Sequence, residues 1–180
     1  MKTWRFIGFD DSFRSFSCKK AHLVGCITAG CKVEGFVYTE IEVDGFDVTE
    51  KIIDVVLKSK FFRLIKCIFL YGITFAGMNV ADIVEIYEKT EIPVISVSKK
   101  AGDLTKPALK AGNAEKRMKI LKKAGNPFDV FGLKVHFIGC SIDEVKEYIT
   151  SSTCVGKIPE CLRISHLVSS ALAYGESKKA

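Results

Sequence analysis

Two continuous apolar runs, Cys67 to Tyr71 and Val94 to Val97, flank a segment with helical spacing from Val80 to Lys89. This β-α-β order constrains the fold more than any other feature of the chain. Parallel strands need a long crossover connection, and strands covered on both faces read as unbroken apolar stretches. The segment therefore predicts neighbouring parallel strands in the middle of a sheet with helices on both sides. The chain before it is patterned differently. Arg5 to Phe9 reads as a strand that leads into Asp10-Asp11, and Ala21 to Ala29 and Lys32 to Val43 are β-rich runs joined at Gly30-Cys31, as in an antiparallel meander. A helix is expected from Val48 to Lys58, opened by a capping box of Asp47 and Glu50.

Further along, a helix is expected over Ala114 to Ala124 and a strand over Val135 to Ile138, followed by a Ser141/Glu144 capping box. Pro159 suits the first turn of a last helix, which carries Ile164, Leu167, Val168, Ala171 and Leu172 on one stripe. The expected fold is α/β, with one mixed sheet of three antiparallel strands followed by parallel β-α units, flanked by helices. A single domain over residues 1–180 is expected.

Hydrophobic residues at 48% and charged residues at 27% exclude a disordered chain, because enough apolar surface is available to offset the entropy of ordering. The uncharged stretch that begins at Cys67 is shorter than the roughly 20 apolar residues a membrane span needs. The N-terminus lacks the long apolar region of a signal peptide, so no membrane partner and a cytoplasmic location are expected. The 7 cysteines are an odd number without Cys-x-x-Cys spacing, and no two histidines stand at ligand spacing, so a structural zinc site is not expected. Most of these thiols read as small buried hydrophobes, with an internal disulfide open if the source lives hot.

The net charge of +6 is concentrated. Lys99 to Lys123 holds 9 basic and 2 acidic residues, or +7, whereas the remainder has 18 basic and 19 acidic residues, or −1. Such a local field suits a polyanion, although a solvated Lys-rich face explains it equally simply. Aromatic residues are missing from the segment, so contact with nucleic acid there would grip phosphates rather than stack bases.

A divalent magnesium or manganese ion needs hard oxygen ligands converging from separate elements. Asp10 and Asp11 end the first strand, and their side chains must point to opposite faces, so one of them can join a shared site. Glu50 starts the next helix, where the capping box with Asp47 explains it as a structural residue. His166 falls nearly opposite the apolar stripe of the last helix, beside Leu162, Ser169 and Ala173, and so faces either water or a site.

Four segments resemble endonuclease V in the same order. Gly8-Phe9-Asp10-Asp11-Ser12-Phe13 is similar to that family's Gly-x-Asp-x-Ser-Tyr strand. Leu70-Tyr71-Gly72-Ile73 is similar to Val-Asp-Gly-His, and Ile92-Pro93-Val94-Ile95-Ser96-Val97-Ser98-Lys99 to Val-Pro-Thr-Ile-Gly-Val-Ala-Lys. Gly156 to His166 resembles Leu-Pro-Glu-Pro-Thr-Arg-x-Ala-His. The phrases Glu42-Val43-Asp44-Gly45, Gly72-Ile73-Thr74-Phe75-Ala76-Gly77 and Gly175-Glu176-Ser177 more closely resemble an archaeal relative of endonuclease V, domain of unknown function ninety-nine.

This resemblance implies a ribonuclease H-like fold and a nucleic-acid partner, DNA or RNA. It implies Asp10 and Glu50 as metal ligands for magnesium or manganese, with Lys99 and His166 completing a catalytic set. Tyr71 stands where the third acid is expected, and a phenol is a poor ligand for magnesium at neutral pH. The leading expectation is therefore a nucleic-acid-binding protein with weakened or lost cleavage, gripping phosphates through Lys99, Lys100, Lys116, Arg117, Lys119 and Lys123. An active metal-dependent endonuclease and a protein-interaction domain are the alternatives. Asp11, Asp44 and Asp82 are the acids that could stand in for the missing one.

Overall fold

The alternation of side chains along β1 (Arg5–Ser12) builds the molecule's two cores. Ile7 and Phe9 point to one face and Phe6, Gly8 and Asp10 to the other, as the pleat requires. In this computed structural model, which describes residues 3–178, β1 runs through both aspartates to Ser12.

β2 (Lys20–Ala29) and β3 (Lys32–Glu42) pair antiparallel to β1 and to each other. α1 (Val48–Lys58) and a 3-10 turn at Phe62–Leu64 lead into β4 (Ile65–Tyr71), which pairs parallel to β1. A two-stranded ribbon, β5 (Thr74–Phe75) with β6 (Asn79–Val80), precedes α2 (Ile83–Thr90), and β7 (Val94–Ser98) pairs parallel to β4. α3 (Thr105–Ala111) and α4 (Ala114–Ala124) follow, then β8 (Phe128–Val130), β9 (Leu133–Ile138), α5 (Ile142–Ser152) and α6 (Glu160–Tyr174). The main sheet has 7 strands in the order β3-β2-β1-β4-β7-β9-β8. The parallel run stops at β7, because β9 pairs with it antiparallel.

α1 and α2 cover one face through Ile52, Val56, Ile83 and Ile86 against Ile7, Phe9, Ile68 and Leu70. α5 and α6 cover the other through Val145, Tyr148, Ile149, Cys161 and Leu162 against Phe6, Cys67, Phe69, Ile95 and Val97. Among the described residues no helix is long and apolar enough to cross a membrane.

Local expectations fail at three places, each for a tertiary reason. Asp47 does not cap α1: its carboxylate accepts from the Glu42 N–H at 3.1 Å and the Asn79 side-chain amide at 2.7 Å, while Asn79 Oδ1 accepts the Val48 N–H at 3.1 Å. A residue 31 positions away thus supplies the helix's terminal acceptor. α2 begins at Ile83 rather than Val80, capped by Asp82, whose carboxylate accepts from the Glu85 N–H at 3.1 Å. α6 buries Cys161, Leu162, Ser165, Ser169, Ser170 and Ala173, not the apolar stripe, and Leu172 remains 50% exposed.

The α6 packing follows from Gly8. A Cβ at Gly8 would lie 2.7 Å from the Cys161 carbonyl carbon, a distance that forces displacement. The bare glycine lets the helix press onto β1 with Cys161 and Ser165 against it. Ser165 Oγ donates to the Gly8 carbonyl at 2.5 Å and accepts the Cys26 N–H at 3.1 Å, fixing α6 to two strands. A Cys31–Cys154 disulfide ties the β2–β3 turn to the α5–α6 connection.

Candidate nuclease site

The site forms where β1 and β4 deliver their last residues beside α6, the position at which open α/β sheets gather ligands. Asp10 shares its sheet face with Gly8, so the close approach of α6 carries His166 to it. Asp10 Oδ2 and His166 Nδ1 lie 2.7 Å apart, with the Asp10 side chain 9% and the His166 side chain 29% exposed. Tyr71, at the end of β4, stacks on the imidazole with ring centroids 6.0 Å apart and planes at 29°. The phenol ring therefore forms a wall against His166.

Burial pushes the Asp10 carboxyl above its ordinary range, partly countered by its hydrogen bond and charge interaction with His166. Asp11 points the other way, and its Oδ2 accepts the Ala76 N–H at 2.8 Å. Burial first and the Asp10 charge second raise Asp11 to about 7. Two neighbouring carboxyls that both resist ionisation mark a place short of positive charge.

The other acids separate into roles. Asp44 Oδ1 accepts the Met78 N–H at 2.8 Å, and Asp82 caps α2 while Lys123 Nζ binds its Oδ2 at 2.6 Å. Both are committed to holding loops, and Asp11, next to Asp10 in the chain, is turned to the other side of β1. Glu50 is exposed in the first turn of α1, the helix that covers the face opposite α6. Among the described residues no three His, Cys, Asp or Glu side chains form a cluster able to hold a metal. The donors present fit a narrower arrangement: magnesium commonly uses one or two carboxylates together with substrate phosphate and water, and Asp10 supplies one such carboxylate.

The basic segment divides. Arg117 is 1% exposed and is removed from the phosphate-gripping surface. Its guanidinium donates to the carbonyls of Gly45, Met78, Asp44 and Gly112 and packs over the Phe46 ring, with Cζ 4.1 Å from the centroid. Arg117 pins α4 to the turns after β3 and β5, a role that a count of charges along the sequence does not reveal. Lys116 Nζ lies 4.3 Å from the same ring centroid, and Lys123 is paired with Asp82. Lys99, Lys100 and Lys119 are exposed. Lys99 and Lys100 diverge at the end of β7: Lys99 lines a cleft with Tyr71, whereas Lys100 lines another with Ser96, Ser98 and His136. Lys157 and Arg163, to which the sequence assigned no part, line the Tyr71 cleft. Arg163 lies in the same quoted motif as His166, three residues earlier, and that position was the available signal.

With this geometry in view, the sequence profile of the family described as endonuclease dU matches residues 2–173. A UPF0215 protein of Archaeoglobus fulgidus is 44% identical over 181 residues, covering 99% of this chain and 98% of that one. A UPF0215 protein of Methanocaldococcus jannaschii is 41% identical over 167 residues, covering 90% of each. Among solved structures, a protein of unknown function from Archaeoglobus fulgidus superposes with a TM-score of 0.89 at 42% identity, covering 96% of this chain and 99% of that one. Ciona intestinalis endonuclease V, in complex with a DNA containing an inosine followed by a ribo-adenosine, gives a TM-score of 0.63 at 16% identity, over 95% of this chain and 86% of that one. Human ENDOV gives 0.65 at 15%, over 96% and 85%. At that identity the likeness is one of fold, ribonuclease H-like.

Proposed function

This chain belongs to the endonuclease dU family, and from that premise we propose that it is a nucleic-acid endonuclease whose reaction centre is the Asp10–His166 pair. The observation that carries the reading is the 2.7 Å approach of His166 Nδ1 to a buried strand-end carboxylate. A histidine held by a carboxylate is oriented and can exchange a proton at a defined atom, which general acid–base chemistry requires. Asp10, together with substrate phosphate oxygens, is the place for magnesium or manganese, while Asp11 turns to the Ala76 side of β1 and Glu50 stands on the helix that covers the opposite face. Such an ion supplies Lewis-acid polarisation of the phosphoryl group. Tyr71 limits the tilt of the imidazole, and Lys99 stabilises phosphate charge from the neighbouring wall.

The family's description makes deoxyuridine-containing DNA the first substrate to test, and the inosine-containing complex of a structural neighbour supplies the second. A second reading, binding without cleavage, is favoured by Tyr71 in the acid's place. Purified protein is incubated with single- and double-stranded DNA and RNA bearing deoxyuridine, inosine or no lesion, with manganese or with chelator. Metal-dependent cleavage that Asp10→Asn abolishes supports the endonuclease. Salt-sensitive binding with no cleavage supports the second reading, and no binding at low salt overturns both.

A further inference from the structure

We infer that the cleft beside Tyr71 is a subsite for a second backbone phosphate, that of the nucleotide adjoining the one at Asp10 and His166. The inference rests on the endonuclease reading and adds to it the path of the strand. The cleft has a volume of about 410 Å³ and is walled by Tyr71, Lys99, Leu133, Val155, Lys157 and Arg163, with Gly132 and Gly156 contributing no side chain. That volume lies within the usual range for small-molecule sites, roughly 300–1,000 Å³.

Its charge is one-sided. Three cations arrive from three separate elements, the residue after β7, the α5–α6 connection and α6, and no acid lines the walls. Glu160 stands behind Arg163, joined by Nε–Oε2 at 2.8 Å and Nη2–Oε1 at 2.6 Å, and this pair holds the guanidinium in one orientation. Counting Glu160, the neighbourhood still carries a formal +2, in excess of the single charge of a phosphodiester. Lys157 bridges the cleft: its Nζ lies 3.6 Å from the position a Cβ would take at Gly132, so the ammonium reaches from the α5–α6 connection to the β8–β9 turn. The connection itself is tethered by the Cys31–Cys154 disulfide next to Val155, so the cation is presented on an anchored wall.

Tyr71 joins the two places. Its ring stacks on His166 and also lines the cleft, so one side chain borders both places, and a strand with one phosphate at Asp10 would place the next toward Lys157. Phosphate contacts fix register without reading sequence, and this subsite would set which bond of the strand reaches the Asp10–His166 pair.

The test is a methylphosphonate scan, in which each phosphate of a single-stranded deoxyuridine oligonucleotide is neutralised in turn and binding is measured by fluorescence anisotropy in chelator. For the wild-type protein, one neutral position next to the cleavage site is expected to weaken binding about tenfold. Lys157→Ala is expected to weaken binding by a similar factor, to make the salt slope shallower by about 0.7 and to remove sensitivity to that position alone. Val155→Glu, on the same exposed wall, is expected to weaken binding without removing a cation. Full methylphosphonate sensitivity retained in Lys157→Ala overturns the subsite and leaves the reaction centre standing. Position-specific loss in Lys157→Ala with no cleavage by the wild-type protein overturns the reaction centre and leaves the subsite standing.

Discussion

Asp10 Oδ2 and His166 Nδ1, 156 residues apart in the chain, meet at 2.7 Å because α6 lies against the bare backbone of Gly8. The pair couples the first strand to the last helix through two titratable groups, and their protonation states depend on each other.

If the Asp10–His166 pair is the reaction centre, cleavage requires ionised Asp10 and rises with pH through its elevated pKa. His166 lowers that pKa, so His166→Ala is expected to move the rise to higher pH and to reduce the rate by about 100-fold or more. A pH–rate profile of the two proteins under single-turnover conditions checks this. An unshifted profile in His166→Ala separates the histidine from the carboxylate's chemistry.

Asp11 is raised from 3.8 to about 7 on folding, so the native state binds its proton more tightly than the unfolded chain does. Its contribution to stability is full below about pH 4 and is lost as pH rises through 7. In chelator, Asp11→Asn keeps an acceptor for the Ala76 N–H, removes the charge and is expected to stabilise the protein at pH 8 by on the order of 2 kcal/mol. Urea unfolding at pH 5 and pH 8 measures the difference, and equal effects at both pH values contradict it.

Arg117→Met is expected to cost about 3 kcal/mol or more, because the carbonyls of Gly45, Met78, Asp44 and Gly112 lose a buried charged donor. Arg117→Lys is expected to recover little, since an ammonium cannot fork among carbonyls from several turns. Lys119→Ala, on the exposed face of the same helix, should change stability by less than about 0.5 kcal/mol. Thermal denaturation of the three variants decides between a pin and a surface charge.

The Cys31–Cys154 bond closes a sequence separation of 123 residues. On the chain-entropy account a loop of that size is worth about 4–5 kcal/mol, so reduction or a Cys31→Ser/Cys154→Ser variant is expected to lower Tm by roughly 10 °C. Identical melting with and without a thiol reductant would mean that the bond does not form.

The sheet was legible because it rests on local patterns. The apolar runs of β4 and β7 and the spacing of α1 each reflect burial that neighbouring residues share, and the Ser141/Glu144 cap of α5 is complete within four residues. The failures involve partners distant in the chain. Asn79 displaces Asp47 as the acceptor at α1, and Gly8 decides which side of α6 is buried, overriding hydropathy. Arg117 reads as one more cation in a basic run until the carbonyls of two remote turns surround it. α3 was concealed by Pro107, which stands near its start, where the missing N–H has no helical partner to lose. In the site, His166 was legible as the residue off the apolar stripe and Arg163 stood in the same motif, whereas the part of Lys157 follows from the cleft it lines.

The position of α6 in the chain carries a consequence for biosynthesis. Asp10 is made 156 residues before His166, which follows every described strand of the sheet. During elongation the half-built domain can display its carboxylates without the imidazole that accompanies them, so the joined pair first exists when the last helix emerges and docks at Gly8. Docking of α6 is in this sense the step that joins the two side chains, and a truncated chain ending before Glu160 would keep the nine described strands yet lack the pair.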